Sequence, residues 1–319
     1  MTDVLETWAV QDSPPGAAIT ALVARGDVEV GWLDRAIYEE RTVVAFYNAR
    51  SATAIVPAAD VAAYATAQLP ADASEFSLLL KNALGDYEDG PELAIEAISD
   101  ALDGRALSRD ELHEELRKRL PDELLPWCEG CQSHHARRGL LIMAGLHGRL
   151  CISGRVGRQP EFSRTDQLVK WDPPSRDEAG RELVKRYRHF YGESSAAHFT
   201  EWSGLAKPHA QALWELSRAK GGSEELNGVR LLGPGDPQLQ RRDRETLVPD
   251  AAWRKQVWKA VGGAGVVTQE REAVALWRAR KKGKTLEVTL DGAEVDVDVQ
   301  EQADRLAPHR GCSKAVVRK

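Results

Sequence analysis

The stretch "SHHARRGLLIMAGLHGRLCISGRVGRQPEFSRTDQLV", residues 133–169, decides the fold. Its first half predicts a helix, with an apolar side supplied by Leu140, Ile142, Met143 and Leu146. Its second half predicts two strands, because the residues alternate in polarity on either side of a turn between Gly154 and Gly157. A helix followed by such a ribbon is typical of a winged helix-turn-helix.

The same order of short helices and a hairpin is predicted three times along the chain. The first copy spans about 14–57 and ends in the β-branched and aromatic hairpin "TVVAFYNARSATAIVP", residues 42–57. The second copy, about 91–169, contains the stretch quoted above. In the third copy, about 175–232, "KPHAQALWELSRAKGG" at 207–222 occupies the place of a recognition helix.

These copies predict an α+β protein of three tandem winged helix-turn-helix modules followed by a C-terminal antiparallel β-rich segment. The predicted boundaries are 1–70, 71–172 and 173–232 for the winged helices and 233–319 for a connector and the β-rich segment. In that segment, 265–299 predicts a meander with turns at Gly283 and Asp291-Gly292. The tail "GCSKAVVRK", residues 311–319, is expected to be mobile.

Composition restricts the class of protein. The 319 residues are 42% hydrophobic and 29% charged, which is ordinary for a globular protein. The longest apolar run, 139–146, is too short to span a bilayer, and the N-terminus shows no secretion signal. The four cysteines indicate the reducing cytoplasm. No dimerisation heptad is seen, so we expect a monomer, and the short apolar runs predict no membrane partner.

Charge is distributed unevenly between the two parts of the chain. Residues 1–126 carry 10 Lys and Arg against 24 Asp and Glu, a balance of −14. Residues 127–319 carry 33 Lys and Arg against 25 Asp and Glu, a balance of +8. The basic part indicates a polyanionic partner, although uneven solvated surface would give the same count.

A polar triplet stands near the N-terminus in "WAVQDSPPGAA", residues 8–18. Asp12 or Ser13, just before Pro14, is a typical N-cap, worth about 1 kcal/mol to the following helix. The same residues could instead form a polar site that a substrate reaches. The local sequence leaves both interpretations open.

Four stretches resemble one known family. They are "AVQDSPPGAA", "NARSATAIVPAADV", "ESSAAHFTEWSGL" and "LLGPGDPQLQRRDRETLVPDAAWRKQVW". The chain resembles the bacterial winged-helix DNA glycosylases of the YcaQ/AlkZ type from residue 9 to about 290. That resemblance implies double-stranded DNA as the partner and hydrolysis of the N-glycosidic bond of bulky N7-alkylated purines. It also implies DNA repair or self-resistance to a DNA-alkylating product.

The family's catalytic signature is Gln or His, an apolar residue, then Gln or Asp, and it falls here on Ala9-Val10-Gln11. An N7-alkylated purine is already cationic, so its departure needs no general acid. The transition state resembles an oxocarbenium ion, which needs a placed water and nearby negative charge. Gln11 is therefore the candidate that orients the water through its carbonyl oxygen, and Asp12 is the candidate that supplies the charge.

Two positions depart from the family pattern. Ala9 replaces the first polar residue of the signature and cannot hydrogen-bond a water. Residues 50–54 read Arg-Ser-Ala-Thr-Ala where many members read Arg-Gly-Thr-Leu-His, so that histidine is absent. An alternative therefore stays open, in which the chain is a non-catalytic protein that binds DNA or an adduct, for example as a regulator.

Basic residues in predicted wings, helix starts and turns are the candidate phosphate contacts. Two groups belong to the second winged helix: Arg137 and Arg138, then Arg155 and Arg158. Two further groups are C-terminal: Arg241, Arg242 and Arg244, then Arg278, Arg280, Lys281, Lys282 and Lys284. An isolated charge run is usually only a solvated face, but the placement of all these groups favours DNA.

One motif suggests a metal ion. In "WCEGCQSHH", residues 127–135, Cys128 and Cys131 with His134 are a candidate zinc set, because thiolate and imidazole both suit zinc. Alternatively, His134 or His135 caps the next helix and the cysteines are small buried side chains. A second Cys-x-x-Cys pair is absent from the sequence, so no cofactor is the primary expectation.

Overall fold

A computed structural model describes residues 9–87, 89–219, 221–222, 227–292 and 299–318. The chain forms two compact units, the first made of residues 1–33, 189–193 and 221–319, and the second of 34–188 and 194–220. Both combine helices and strands, so the predicted α+β class is confirmed. The number of winged helices and the four predicted boundaries stay predictions.

The first unit contains a sheet whose strands run in the spatial order Lys314–Arg318, Thr285–Asp291, Glu272–Lys282, Gly265–Gln269 and Val229–Leu232. The predicted meander is present, apart from 293–298, which lie outside the described residues. The prediction of a mobile tail at 311–319 is wrong, because Lys314–Arg318 pairs in parallel with Thr285–Asp291. Helix Gln300–Leu306 supplies the crossover that a parallel pair needs.

This sheet is covered on both faces. Along strand Glu272–Lys282, Trp277 belongs to one buried cluster and Leu276 to another, as the two-residue period of a strand requires. The first cluster includes residues of Gln300–Leu306, and the second includes residues of helix Ala251–Val257. The buried positions of the three central strands are apolar except for Thr268, whereas the second half of Glu272–Lys282 is exposed and mostly charged.

Of the three predicted hairpins, those of the first two copies lie side by side in the sheet of the second unit, whereas Val229–Leu232 at the end of the third copy pairs with Gly265–Gln269. Within the second unit the strands run in the order Thr53–Pro57, Val43–Tyr47, Cys151–Val156, Gln159–Ser163 and Leu107–Ser108. Ala45 pairs with Ile152, which joins the hairpins side by side. The Asn48 side chain accepts from the N–H groups of Arg50 and Ala52 and so forms the first turn. Both hairpins are thereby confirmed.

The helices follow the predicted segments closely. Helix Arg138–Leu146 begins later than the prediction from residue 133, because Ser133–His134 instead pairs as a short strand with Trp127–Cys128. The remaining helices are Ala17–Val23, Trp32–Tyr38, Val61–Thr66, Leu78–Leu84, Gly90–Ala101, Arg109–Arg117, Thr165–Leu168, Arg176–Tyr191, Ala196–Ser203, Lys207–Glu215, Arg244–Leu247, Ala251–Val257 and Gln300–Leu306. Over the described residues, none has the length and apolarity needed to cross a bilayer.

Candidate active site and DNA interface

Gln11 lies at the end of the short strand Val10–Gln11, and both the nitrogen and the oxygen of its side-chain amide form hydrogen bonds. Val10 is buried and Gln11 is half-buried. The Gln11 Nε2 donates to the Ser13 carbonyl at 2.6 Å, and the Gln11 Oε1 accepts from Gln240 Nε2 at 3.3 Å. An amide oxygen has two lone pairs, so one can still accept a hydrogen bond from a water.

Asp12 caps the helix that follows. Its Oδ1 accepts from the N–H of Gly16 at 2.8 Å and from the N–H of Ala18 at 3.1 Å, so it satisfies two donors at the start of Ala17–Val23. The capping interpretation of Asp12 therefore agrees with the contacts. These bonds also direct its charge toward the helix N-terminus, where a carboxylate is favourable.

Arg310 lies against the same turn. Its Nη2 donates to the Thr20 hydroxyl at 2.6 Å and to the Gly16 carbonyl at 3.3 Å. Burial lowers the pKa of Arg310, and the neighbouring Asp12 carboxylate opposes that change. A guanidinium stays charged even so, and Asp12 therefore faces a cation as well as the helix.

The segment 233–240 packs around the Gln11 turn, a role that sequence reasoning did not predict. A Cβ atom at Gly235, whose φ is 88°, would lie 2.9 Å from the Ser13 carbonyl oxygen, so the backbones touch. Gln240 Nε2 donates to the Gly235 carbonyl at 2.8 Å as well as to Gln11. The only available signal was the family-like stretch "LLGPGDPQLQ", whose glycines permit this close approach.

A cleft of 530 Å³ opens beside this turn in the first unit. Pro14, Pro15 and Thr20 line one part of it, and strand Glu272–Lys282 lines another. The charged side chains at the cleft are Arg278, Lys281 and Arg310. The candidate catalytic segment thus adjoins a concave, cationic surface.

The predicted C-terminal phosphate contacts divide between two settings. In strand Glu272–Lys282 and its turn, Arg278, Arg280, Lys281, Lys282 and Lys284 are all exposed. In the connector, Arg241 binds Asp243 through two hydrogen bonds of 2.9 and 2.7 Å, and Arg244 lies over the Trp258 ring at 5.0 Å. Arg241, Arg242 and Arg244 are each half-buried. These contacts stabilise the connector, whereas the strand residues face solvent.

In the second unit, the candidate arginines are exposed and lie at the positions predicted. Arg137 donates to the Asn82 carbonyl at 2.6 Å, and Arg138 lies over the Tyr47 ring at 4.7 Å. Arg155 and Arg158 lie at the tip of the hairpin Cys151–Ser163. Arg155 Nε also donates to the Tyr38 hydroxyl at 3.1 Å.

The two positions that depart from the family signature carry short apolar side chains. Ala9 is half-buried and directly precedes the buried Val10. Ala54 is buried within strand Thr53–Pro57. Neither side chain can accept or donate a hydrogen bond, so Gln11 is the amide that remains of the signature.

A candidate metal centre lies in the second unit, with a different histidine from the one predicted. One ligand atom from each of Cys128, Cys131 and His135 lies within 4.8 Å of the others. The cluster contains His135 and not the predicted His134, whose Nδ1 lies 2.8 Å from the Leu125 carbonyl oxygen. The N–H of Cys131 is the main cause that lowers the pKa of the Cys128 thiol to about 7.

Comparisons with known proteins agree with this architecture. A family model described as DNA glycosylase AlkZ-like matches residues 4–309. The solved structure of the Streptomyces sahachiroi DNA glycosylase AlkZ is similar, with a TM-score of 0.70, 99% of this chain and 92% of that chain covered, and 20% sequence identity. At that identity the likeness shows a shared fold. A sequence comparison with curated proteins gave no match.

Proposed function

Because the chain belongs to the AlkZ-like DNA glycosylase family, we propose that it hydrolyses the N-glycosidic bond of bulky N7-alkylated purines in double-stranded DNA. Release of such bases is the first step of repair and also protects a cell from its own alkylating product. The observation that carries the proposal is the fixed amide of Gln11, held by Ser13 and Gln240 in a turn whose Pro14 and Pro15 line a cationic cleft.

Gln11 orients the attacking water in this proposal. Its Oε1 accepts one hydrogen bond from Gln240 and has a second lone pair for the water. The leaving base carries a positive charge before the bond breaks, so no side chain has to protonate it. The protein then has two tasks. The Gln11 amide places the water, and the cationic cleft binds the DNA around the lesion.

Asp12 supports this arrangement from the same turn. Its contacts with Gly16, Ala18 and Arg310 fix the path of the chain immediately after Gln11. We therefore assign Asp12 a positioning role. Direct electrostatic stabilisation of the oxocarbenium ion by its carboxylate, the role suggested by the sequence, is the alternative that a charge-removing variant distinguishes.

Exposed cations provide the DNA contacts. In the first unit these are the strand and turn residues that end at Lys284, and in the second unit they are Arg137, Arg138, Arg155 and Arg158. Such side chains bind phosphate oxygens and set the position of the duplex without reading its sequence. The substrate is then selected by the modified base rather than by its neighbours.

The decisive experiment measures release of free base from duplex DNA that carries either N7-methylguanine or a bulky N7-alkylguanine. We expect wild type to release the bulky adduct above the uncatalysed rate, and Gln11→Ala to lower that rate about 10²-fold. Gln269→Ala, which changes an exposed glutamine at the opposite end of strand Gly265–Gln269 from the cleft, is the matched control and should leave release unchanged. Equal release by wild type and Gln11→Ala would remove the role of Gln11.

A second function is favoured by one specific observation, the alanine at position 9. A chain that has lost one polar group of the signature could bind an adduct without cleaving it. Tight binding of adduct DNA by wild type, with no release of any base above background, would establish this non-catalytic function.

A further inference from the structure

The hairpin at 127–134 places two cysteine sulfurs on a tight turn. Strand Trp127–Cys128 pairs with Ser133–His134, and the Cys131 N–H donates to the Cys128 carbonyl at 3.2 Å. Gln132 has a positive φ of 50°, which sends the chain back along the first strand. This folds Cys128 and Cys131 toward each other, and neither forms a disulfide.

The third group at this turn is His135, directly after the hairpin. One ligand atom each from Cys128, Cys131 and His135 lies within 4.8 Å of the other two. A tetrahedral zinc ion with sulfur ligands at about 2.3 Å separates two sulfurs by about 3.8 Å. Small side-chain rotations therefore suffice to bring all three groups onto one ion.

The ring of His135 is already held as a metal ligand requires. Its Nδ1 lies 2.9 Å from the Ala136 carbonyl, and a nitrogen that faces a carbonyl carries the proton. The lone pair is then on Nε2, which is buried and has no hydrogen-bond partner among the described residues. Metal-binding histidines show this same pattern, in which one ring nitrogen donates to a carbonyl and the other binds the ion.

We infer that Cys128, Cys131 and His135 form a zinc-binding site. Two thiolates and an imidazole are the ligands that zinc prefers, and two thiolate charges balance the dication. Cys131 and His135 both line a 660 Å³ cleft of the second unit, so the fourth tetrahedral position is open to water.

The ion has a structural consequence for the surface beside it. Arg117 Nη1 donates to the His134 carbonyl at 3.1 Å, and the rings of His113 and His135 stack with centroids 4.7 Å apart. These contacts hold the hairpin on helix Arg109–Arg117. Arg109, Arg117 and Arg138 line the same cleft. Zinc would fix the hairpin as one wall of this cationic cleft.

The test measures zinc in untagged, full-length protein expressed with added zinc and purified without chelators. We expect about one zinc ion per chain in wild type and less than about 0.2 in Cys131→Ser and His135→Gln. Cys131 is exposed, so its variant should fold. His134→Gln is the matched control, because it changes the adjacent histidine outside the cluster, and it should keep the wild-type zinc content.

Cobalt substitution gives a second readout. Wild type loaded with cobalt should show the visible absorption of tetrahedral thiolate coordination, and Cys131→Ser should lose it. Less than about 0.2 zinc per wild-type chain, or a Cys128–Cys131 disulfide in its place, would overturn the site. Zinc retained by Cys131→Ser would do the same, and equal zinc loss in His134→Gln and His135→Gln would refute the choice of His135.

Discussion

At the scale of residues, two neighbouring polar side chains do different work. Gln11 has a hydrogen-bond acceptor that can still bind a water, whereas Asp12 directs its Oδ1 to two helix N–H groups. The Asp12 carboxylate is needed at the helix start, because moving it away would leave the N–H groups of Gly16 and Ala18 without a hydrogen-bond acceptor. The turn therefore places an amide that can accept a hydrogen bond from water one residue before a carboxylate that caps the helix.

Substitution of Asp12 distinguishes its charge from its capping bonds. Asp12→Asn keeps an oxygen acceptor, so we expect little change in thermal stability and base release within about threefold of wild type. Asp12→Ala removes the cap and should lower the free energy of unfolding by about 1 kcal/mol. Urea denaturation and the base-release assay measure these effects. A loss of release near 10²-fold in a fully stable Asp12→Asn protein would assign the carboxylate to the reaction itself.

At the scale of elements, a buried ion pair holds helix Ala17–Val23 beside the 310 turn Pro237–Gln240. Arg25, just after the helix, binds Asp236 through hydrogen bonds of 2.8 and 3.0 Å, with both side chains almost fully buried. Asp236 also caps the turn by accepting from the Gln238 N–H. The pair thus holds the helix against the 310 turn, and the last residue of that turn, Gln240, donates to Gln11.

Removing one partner of this pair should be costly. Asp236→Ala leaves the Arg25 guanidinium buried and unpaired, so we expect the free energy of unfolding to fall by about 3–5 kcal/mol. Chemical denaturation measures the loss. Asp243→Ala, which breaks a more exposed pair with Arg241, serves as the control and should cost about 1 kcal/mol or less. Similar costs for both variants would contradict the special role of the buried pair.

At the scale of the whole molecule, each unit presents its own set of exposed cations. The net charge of −6 conceals this, because 33 of the 43 lysines and arginines lie after residue 126. Phosphate binding by arginines and lysines releases counterions from the duplex, so the affinity depends on salt. The distribution of charge, rather than the net charge, indicates a polyanionic partner.

We expect the affinity for a short duplex to fall steeply with salt. Four phosphate contacts would weaken binding about 10²-fold between 50 and 200 mM salt. Fluorescence anisotropy measures this slope, and the double variant Arg155→Ala/Arg158→Ala should make it shallower. An affinity that does not change over this range would show that phosphate contacts contribute little.

Stability should also depend on pH through His209. This ring is buried, and burial, aided by Arg176 and opposed by Glu75, lowers its pKa to about 4. Between pH 6.5 and about 4 the unfolded chain binds a proton that the folded chain excludes. The free energy of unfolding should therefore fall across that window by roughly 2–3 kcal/mol.

The variant His209→Gln cannot take up this proton. Its free energy of unfolding, measured by denaturation at pH 7 and pH 4.5, should fall less than that of wild type. His134→Gln, which removes an exposed histidine, should keep the wild-type dependence. Parallel pH profiles for wild type and His209→Gln would exclude His209 as the cause.

The sequence by itself determined the α+β class, the two confirmed hairpins and most helices, because periodicity and turn residues act over short distances. The resemblance of four stretches indicated the family. The sequence also made Gln11 a candidate and left Asp12 as either a cap or part of a site, and only the hydrogen bonds from Gly16 and Ala18 show that Asp12 caps the helix. Only the tertiary structure selected Gln240 and Arg310 as neighbours of that turn, and His135 rather than His134 at the cysteines. It alone placed residues 314–318 in a sheet. These contacts join residues far apart in the chain, or depend on the direction of one side chain, and packing rather than local propensity decides both.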